Sequence, residues 1–157
     1  MNINEITSDF QIMGNSIKCL NIVNEFIYFD AADSSIHKEF NVSYELSEPF
    51  DVDFDKDAIG GAVTLYIDVR ISNEENTSTI YLELEGGFML KNCREVEKLN
   101  EMLAVNGCAA LYSIGRGIIS GVTSQMSADG SGTVMLPLIN TFELRNAQSV
   151  GPADVEE

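Results

Sequence analysis

Four aspartates at alternate positions, Asp51, Asp53, Asp55 and Asp57, have spacing that invites a metal. A calcium loop of this kind also needs glycine at its sixth position and a bidentate glutamate at its twelfth. Counting from Asp51 puts Lys56 and Ala62 there; counting from Asp53 puts Ala58 and Thr64. The interleaved Val52 and Phe54 make these acids the wet side of a strand instead. Glu83 and Glu85 could pair for acid–base work, but two residues apart on a strand they share an open surface. A Ser-His-Asp set would have to use His37, which sits in a polar turn. Gly115-Arg116-Gly117-Ile118-Ile119-Ser120-Gly121 has the look of a dinucleotide loop. That loop needs a strand before it and a βαβ unit around it, and the chain after Gly121 is too short and too irregular to supply one. Cys19, Cys93 and Cys108 form no CxxC pair and fall short of a four-ligand zinc site. The expectation is no catalytic residue, no metal, no cofactor, and three free thiols of a reducing compartment.

Composition narrows the class further. The chain has 157 residues and a formal charge of −16, a size that fits one domain. A phosphate backbone is bound by clustered Lys and Arg, so the charge excludes nucleic acid and favours basic partners through long-range attraction. The N-terminus carries no basic region with an apolar run behind it, and no stretch reads as the roughly 20 apolar residues a membrane helix needs. A soluble protein of the cytoplasm, with no membrane insertion, is expected.

Any site must be positioned by strands first and helices second. Phe40, Val42, Tyr44, Leu46, Phe50, Val52 and Phe54 alternate with polar residues. They predict one long strand, or two collinear ones broken at Pro49, with one wet face. Gly60-Gly61 reads as a turn, followed by alternation from Val63 to Ile71, a hairpin loop over 72–78, and alternation again from Ile80 to Leu90. Residues 10–29 are β-like with an interruption over 20–23, read as a bulge. After Lys91 the period becomes helical: a short helix over 95–104 and a main helix over 107–125. Leu111, Ile114, Ile118 and Val122 form an apolar row on the main helix. Beside it runs a row of small residues: Ala110, Ser113, Gly117, Gly121 and Ser124. Each helical glycine costs roughly 1 kcal/mol relative to alanine, so close approach of another backbone should repay them. Residues 128–132 read as a flexible connection.

Three short stretches, in this order, carry a resemblance: Gly86-Gly87-Phe88, then Leu111-Tyr112-Ser113-Ile114-Gly115-Arg116-Gly117-Ile118-Ile119-Ser120, then Leu136-Pro137-Leu138-Ile139-Asn140. The chain resembles the SecB family of protein-export chaperones. That family has a Gly-x-Phe near a strand end, a helix reading Leu-Phe/Tyr-Pro-Tyr-Ala-Arg-Glu-x-Ile-Ser, and a Leu-x-Pro-x-Asn loop. Arg116 matches; the family's proline, tyrosine and glutamate do not. In the first strand, Lys18-Cys19-Leu20-Asn21-Ile22-Val23 lacks both acids with which family members dock the SecA translocase.

The resemblance implies an α+β fold: a four-stranded antiparallel sheet with one long and one or two short helices packed against it. Residues 1–9 would be an N-terminal extension, 10–145 the SecB-like domain and 146–157 a disordered acidic tail. It implies a homotetramer or homodimer, with Ala110, Ser113, Gly117, Gly121 and Ser124 at the interface. It implies an ATP-independent holdase that binds unfolded polypeptides, preproteins for export among them, at Phe88, Met89, Met126, Val134, Leu136, Leu138, Ile139 and Phe142. Two other roles fit the same residues. One is a chaperone dedicated to a single labile partner such as an antitoxin, independent of SecA. The other is a non-catalytic scaffold for a folded partner.

Overall fold

The structure, a computed structural model, describes residues 7–149. Most of the expected N-terminal extension, 1–6, and residues 150–157 of the expected tail lie outside the described residues. Strands β1 (Phe10–Val23), β2 (His37–Leu46), β3 (Phe50–Asp51), β4 (Ile59–Ser72) and β5 (Thr77–Leu90) form one antiparallel sheet in the order β1-β5-β4-β2, with β3 also paired to β4. The sheet therefore has five strands where four were expected. The fifth is the two-residue continuation of β2 along the same edge of β4, beyond the break at Pro49.

Strict alternation in β4 and β5 sorts the sheet into two faces. Val63, Leu65, Ile67, Val69 and Ile71 of β4 and Ile80, Leu82, Leu84 and Phe88 of β5 lie on one face and are buried. The opposite face is open and carries Glu39, Glu45, Asp68, Glu83 and Glu85, relieved by Arg70 and Lys18. Lys18 reaches Glu85 at 3.1 Å, and the Tyr66 hydroxyl donates to Glu45.

The two expected helices are one rod. Helix α1 (Val96–Met102) passes through a turn of π-helix (Leu103–Gly107) into α2 (Cys108–Thr123) without a break. The 28-residue run Val96–Thr123 is long and apolar enough, by length and composition, to cross a membrane, contrary to the reading of the sequence. In the fold Leu99, Leu103, Leu111 and Ile119 of this run pack into the core.

Gly60 and Gly61, expected to form a turn, lie inside β4. A Cβ on Gly60 would strike the Phe50 ring at 2.3 Å, and one on Gly61 would meet Leu103 at 2.6 Å. Glycine here admits neighbouring side chains from each side of the sheet. The turn that joins β3 to β4 is the acidic segment 52–58.

Past α2, residues 133–140 form an extended strap that leads into α3 (Thr141–Ser149). Helix α3 thus continues to Ser149, into the segment expected as tail. Asn140 caps α3 by accepting from the backbone N–H groups of Phe142 and Glu143, and Arg145 pairs with Glu101 of α1 at 3.2 Å.

Candidate polypeptide-binding face

Three side chains of α2 hold the strap by its backbone. The Tyr112 hydroxyl donates to the Pro137 carbonyl at 2.8 Å. Arg116 Nε donates to the Leu136 carbonyl at 3.0 Å. Thr123 Oγ1 accepts from the Val134 amide at 2.8 Å. Spaced along α2 on the side toward the strap, these groups satisfy main-chain polar atoms that no sheet partner serves. Burial raises the Tyr112 phenol above its ordinary value, and the Arg116 cation beside it acts the other way.

With the backbone pinned, the strap's side chains divide. Val134 and Leu136 point inward and are buried, Leu136 at 1% exposure. Met135 and Leu138 point outward at 60% and 84%, followed by Phe142 at 56% on the first turn of α3. The result is a ledge of flexible and aromatic apolar side chains, with the Arg145 guanidinium 5.9 Å from the Phe142 ring centroid.

The expected client-binding set therefore needs correction. Phe88, Met126, Val134 and Leu136 are core residues. Phe88 is 1% exposed and stacks on Phe10, with ring centroids 5.2 Å apart. A bound chain could not reach Phe88 or Leu136 without unfolding part of the core, while Met126 and Val134, also buried, each border a surface hollow. Met89 lies on the open face of the sheet, beside Gly60 and Gln11, across the sheet from the strap. Ile139 is half-buried against the core. Only Leu138 and Phe142 belong to an exposed ledge, and Met135, which sequence reading passed over, joins them.

A second apolar surface was also missed. Ile12, Ile17, Leu20 and Ile22 of β1 lie on the covered face of the sheet in register with buried β5 residues, yet all four are exposed. They extend past the shelter of α2. Two register shifts, between Ile12 and Gly14 and between Ile17 and Cys19, bring these unevenly spaced residues to one side. The bulge expected over 20–23 is thus replaced by two nearer the start of the strand. Beside this row stands the outward side of α2, where Ser113, Gly117 and Gly121 are exposed and Ala110 and Ser124 are half-buried. A Cβ at Gly117 or Gly121 would meet nothing within 4 Å. The Ser113 and Ser124 hydroxyls are turned back onto the helix carbonyls of Ala109 and Gly121. Apart from Cys19, which faces the other side of the sheet, none of the residues just named, on β1 or α2, is ionisable.

Among the described residues no group of three or more His, Cys, Asp or Glu side chains is gathered to hold a metal. His37 borders a shallow hollow of about 400 Å³ with Ser35, Asn73, Glu74 and Glu75. Asp51 is held by Arg94, which also donates to the Lys56 carbonyl, so the acidic loop is tied to the start of α1.

An antiparallel sheet covered on one face by a long helix, with a strap and a short helix after it, is the SecB-like fold. A solved structure with this architecture is the SecB-like chaperone Rv1957 of Mycobacterium tuberculosis in complex with a ChAD peptide from the Rv1956 HigA1 antitoxin. It aligns with a TM-score of 0.58 and 16% identity over 83% of this chain and 90% of that one. No protein-family model and no curated protein matches the chain. The likeness is one of fold.

Proposed function

We propose that this protein is an ATP-independent, non-catalytic chaperone of the cytoplasm that binds non-native polypeptide segments as a homo-oligomer. The observation that carries the reading is the ledge of Met135, Leu138 and Phe142, presented on a strap that α2 holds by the backbone at Val134, Leu136 and Pro137. Flexible methionine and aromatic side chains re-pack around differing sequences. Several such ledges on one oligomer would act together through effective concentration. The uncharged surface of β1 and α2 supplies the place for a second copy: two chains of −16 each meet most cheaply where neither brings a charge.

Within this reading, a dedicated role for one labile partner is favoured over delivery to SecA. Lys18-Cys19-Leu20-Asn21-Ile22-Val23 of β1 lacks the family's docking acids, and the solved neighbour was captured with an antitoxin peptide. The decisive experiment is light scattering of an aggregating unfolded protein, with native mass measured on the same sample. Wild type should suppress scattering, and Leu138→Asp should lose most of that suppression while keeping its melting temperature, because Leu138 is 84% exposed. Equal suppression by the two proteins would reject the ledge; no suppression by wild type would reject general holdase activity.

A further inference from the structure

Two half-buried arginines stand by the ledge: Arg145, over the Phe142 ring, pairs with Glu101, whereas Arg116 has no ionic partner among the described residues. Of the four arginines, Arg94 pairs with Asp51 and Arg145 with Glu101, while Arg70 is exposed on the open face of the sheet. Arg116 has no carboxylate within salt-bridge reach among the described residues, in a chain with 25 acidic side chains. Its one hydrogen bond goes from Nε to the Leu136 carbonyl, which fixes the guanidinium between Met135 and Pro137 of the strap. A guanidinium carries five N–H donors, so among the described residues the Nη edge is left without an acceptor. Among the described residues no fully buried side-chain nitrogen or oxygen lacks a partner, so that edge is open to whatever reaches the strap from outside.

Resting on the chaperone reading, we propose that Arg116 is a carboxylate subsite: it accepts an acidic group of a bound polypeptide whose neighbouring apolar residues lie on Met135 and Leu138. A planar guanidinium already held at Nε presents its Nη pair to a carboxylate at little further entropic cost, and such charge-assisted bonds are about twice as strong as neutral ones. The rest of the protein opposes acidic ligands through its net charge. A preference for an acidic segment would therefore run against the overall field and would have to come from a local contact. The recognised chemistry is a carboxylate, from either an internal Asp or Glu or a chain's C-terminus.

The test uses fluorescent peptides with one apolar sequence in three forms: a central Glu with an amidated end, a central Gln with an amidated end, and a central Gln with a free C-terminal carboxylate. Anisotropy titrations with the 157-residue chain should show the Glu or the free-carboxylate form binding roughly fivefold tighter than the neutral form, the scale of a half-exposed charged hydrogen bond. Which of the two acidic forms wins identifies the source of the carboxylate. In Arg116→Gln the ratio should fall to one or invert, since only the repelling field remains. That ratio is internal to each variant, so a general loosening of the strap does not imitate it. Equal binding of all three forms by wild type, or a preference that survives Arg116→Gln, overturns the subsite while leaving the holdase reading standing. Failure of every form to bind wild type would bring down both.

Discussion

Gly115 and Gly117 stand two residues apart on one helix and answer to different neighbours. A Cβ on Gly115 would meet Ile67 Cδ1 at 2.6 Å and Leu84 Cδ1 at 3.4 Å, so that glycine lets α2 settle onto the sheet. A Cβ on Gly117 would meet open space, so nothing inside the chain accounts for it. Both weaken the isolated helix by roughly 1 kcal/mol relative to alanine. Only the inner one is repaid within the chain by close packing. Gly107 against Val63, and Gly86 against Leu111, repeat the inner pattern. Gly121 repeats the outer one. The lesson is that glycines on one helix hold two kinds of information, and what each one faces separates them.

The largest effect that would break this contrast is expected at the inner position. Gly115→Leu adds a side chain where one carbon is already in conflict with Ile67, and overpacking of this kind should cost about 3 kcal/mol or more. For a domain of this size that lowers the melting temperature by roughly 10 °C. A melting temperature within a degree or two of wild type would mean that α2 does not sit this close to β4. At the outer position the same substitution should act on assembly. Gly117→Leu is expected to leave the unfolding of the separated chain unchanged or improved by up to about 1 kcal/mol, through helix propensity alone. It should shift native mass toward a smaller species. Unchanged mass at micromolar concentration would show that copies do not meet across this row.

Much of the fold was legible because alternation in β4 and β5 is uninterrupted, and their buried residues fall at every second position. β1 was harder. Its two bulges break the period, so Ile12, Ile17, Leu20 and Ile22 do not look like one row until pairing with β5 fixes the register. Gly60 and Gly61 misled because a glycine pair signals a turn and close approach equally well. The break expected between two helices vanished into the π turn at Leu103–Gly107, which adds one residue per turn and needs no local sequence signal. The candidate site was legible only in part. Val134, Leu136 and Leu138 are similar in kind, and which of them faces out depends on where Tyr112 and Arg116 grip the strap. That grip joins residues 20 and 25 positions apart, beyond the reach of any periodicity.

The smallest expected effect sharpens the same contrast between covered and open faces through the thiols. Cys108 is fully buried under the start of α2, and burial pushes its thiol up to about 12 from 9.0. Cys19, on the open face of the sheet, and Cys93, before α1, are half-buried. Native protein should therefore take up iodoacetamide at Cys19 and Cys93 well before Cys108, because the thiolate is the reacting form. The linked stability has a definite sign. The folded state keeps the Cys108 proton to higher pH than the unfolded state, so its contribution is intact below pH 9 and is lost as pH rises from about 9 toward about 12. Tyr44 and Tyr112, also raised by burial, add losses of the same sign over a higher range. The informative quantity is the urea midpoint of wild type minus that of Cys108→Ala, followed from pH 8 upward, since the tyrosine contributions that come from burial are shared and only the part of the Tyr44 shift caused by Cys108 goes with the thiol. That difference should fall with pH. A flat difference, or labelling of Cys108 as fast as of Cys93, would mean that the inner face of the helix is open to solvent, and the distinction between Gly115 and Gly117 would lose its basis.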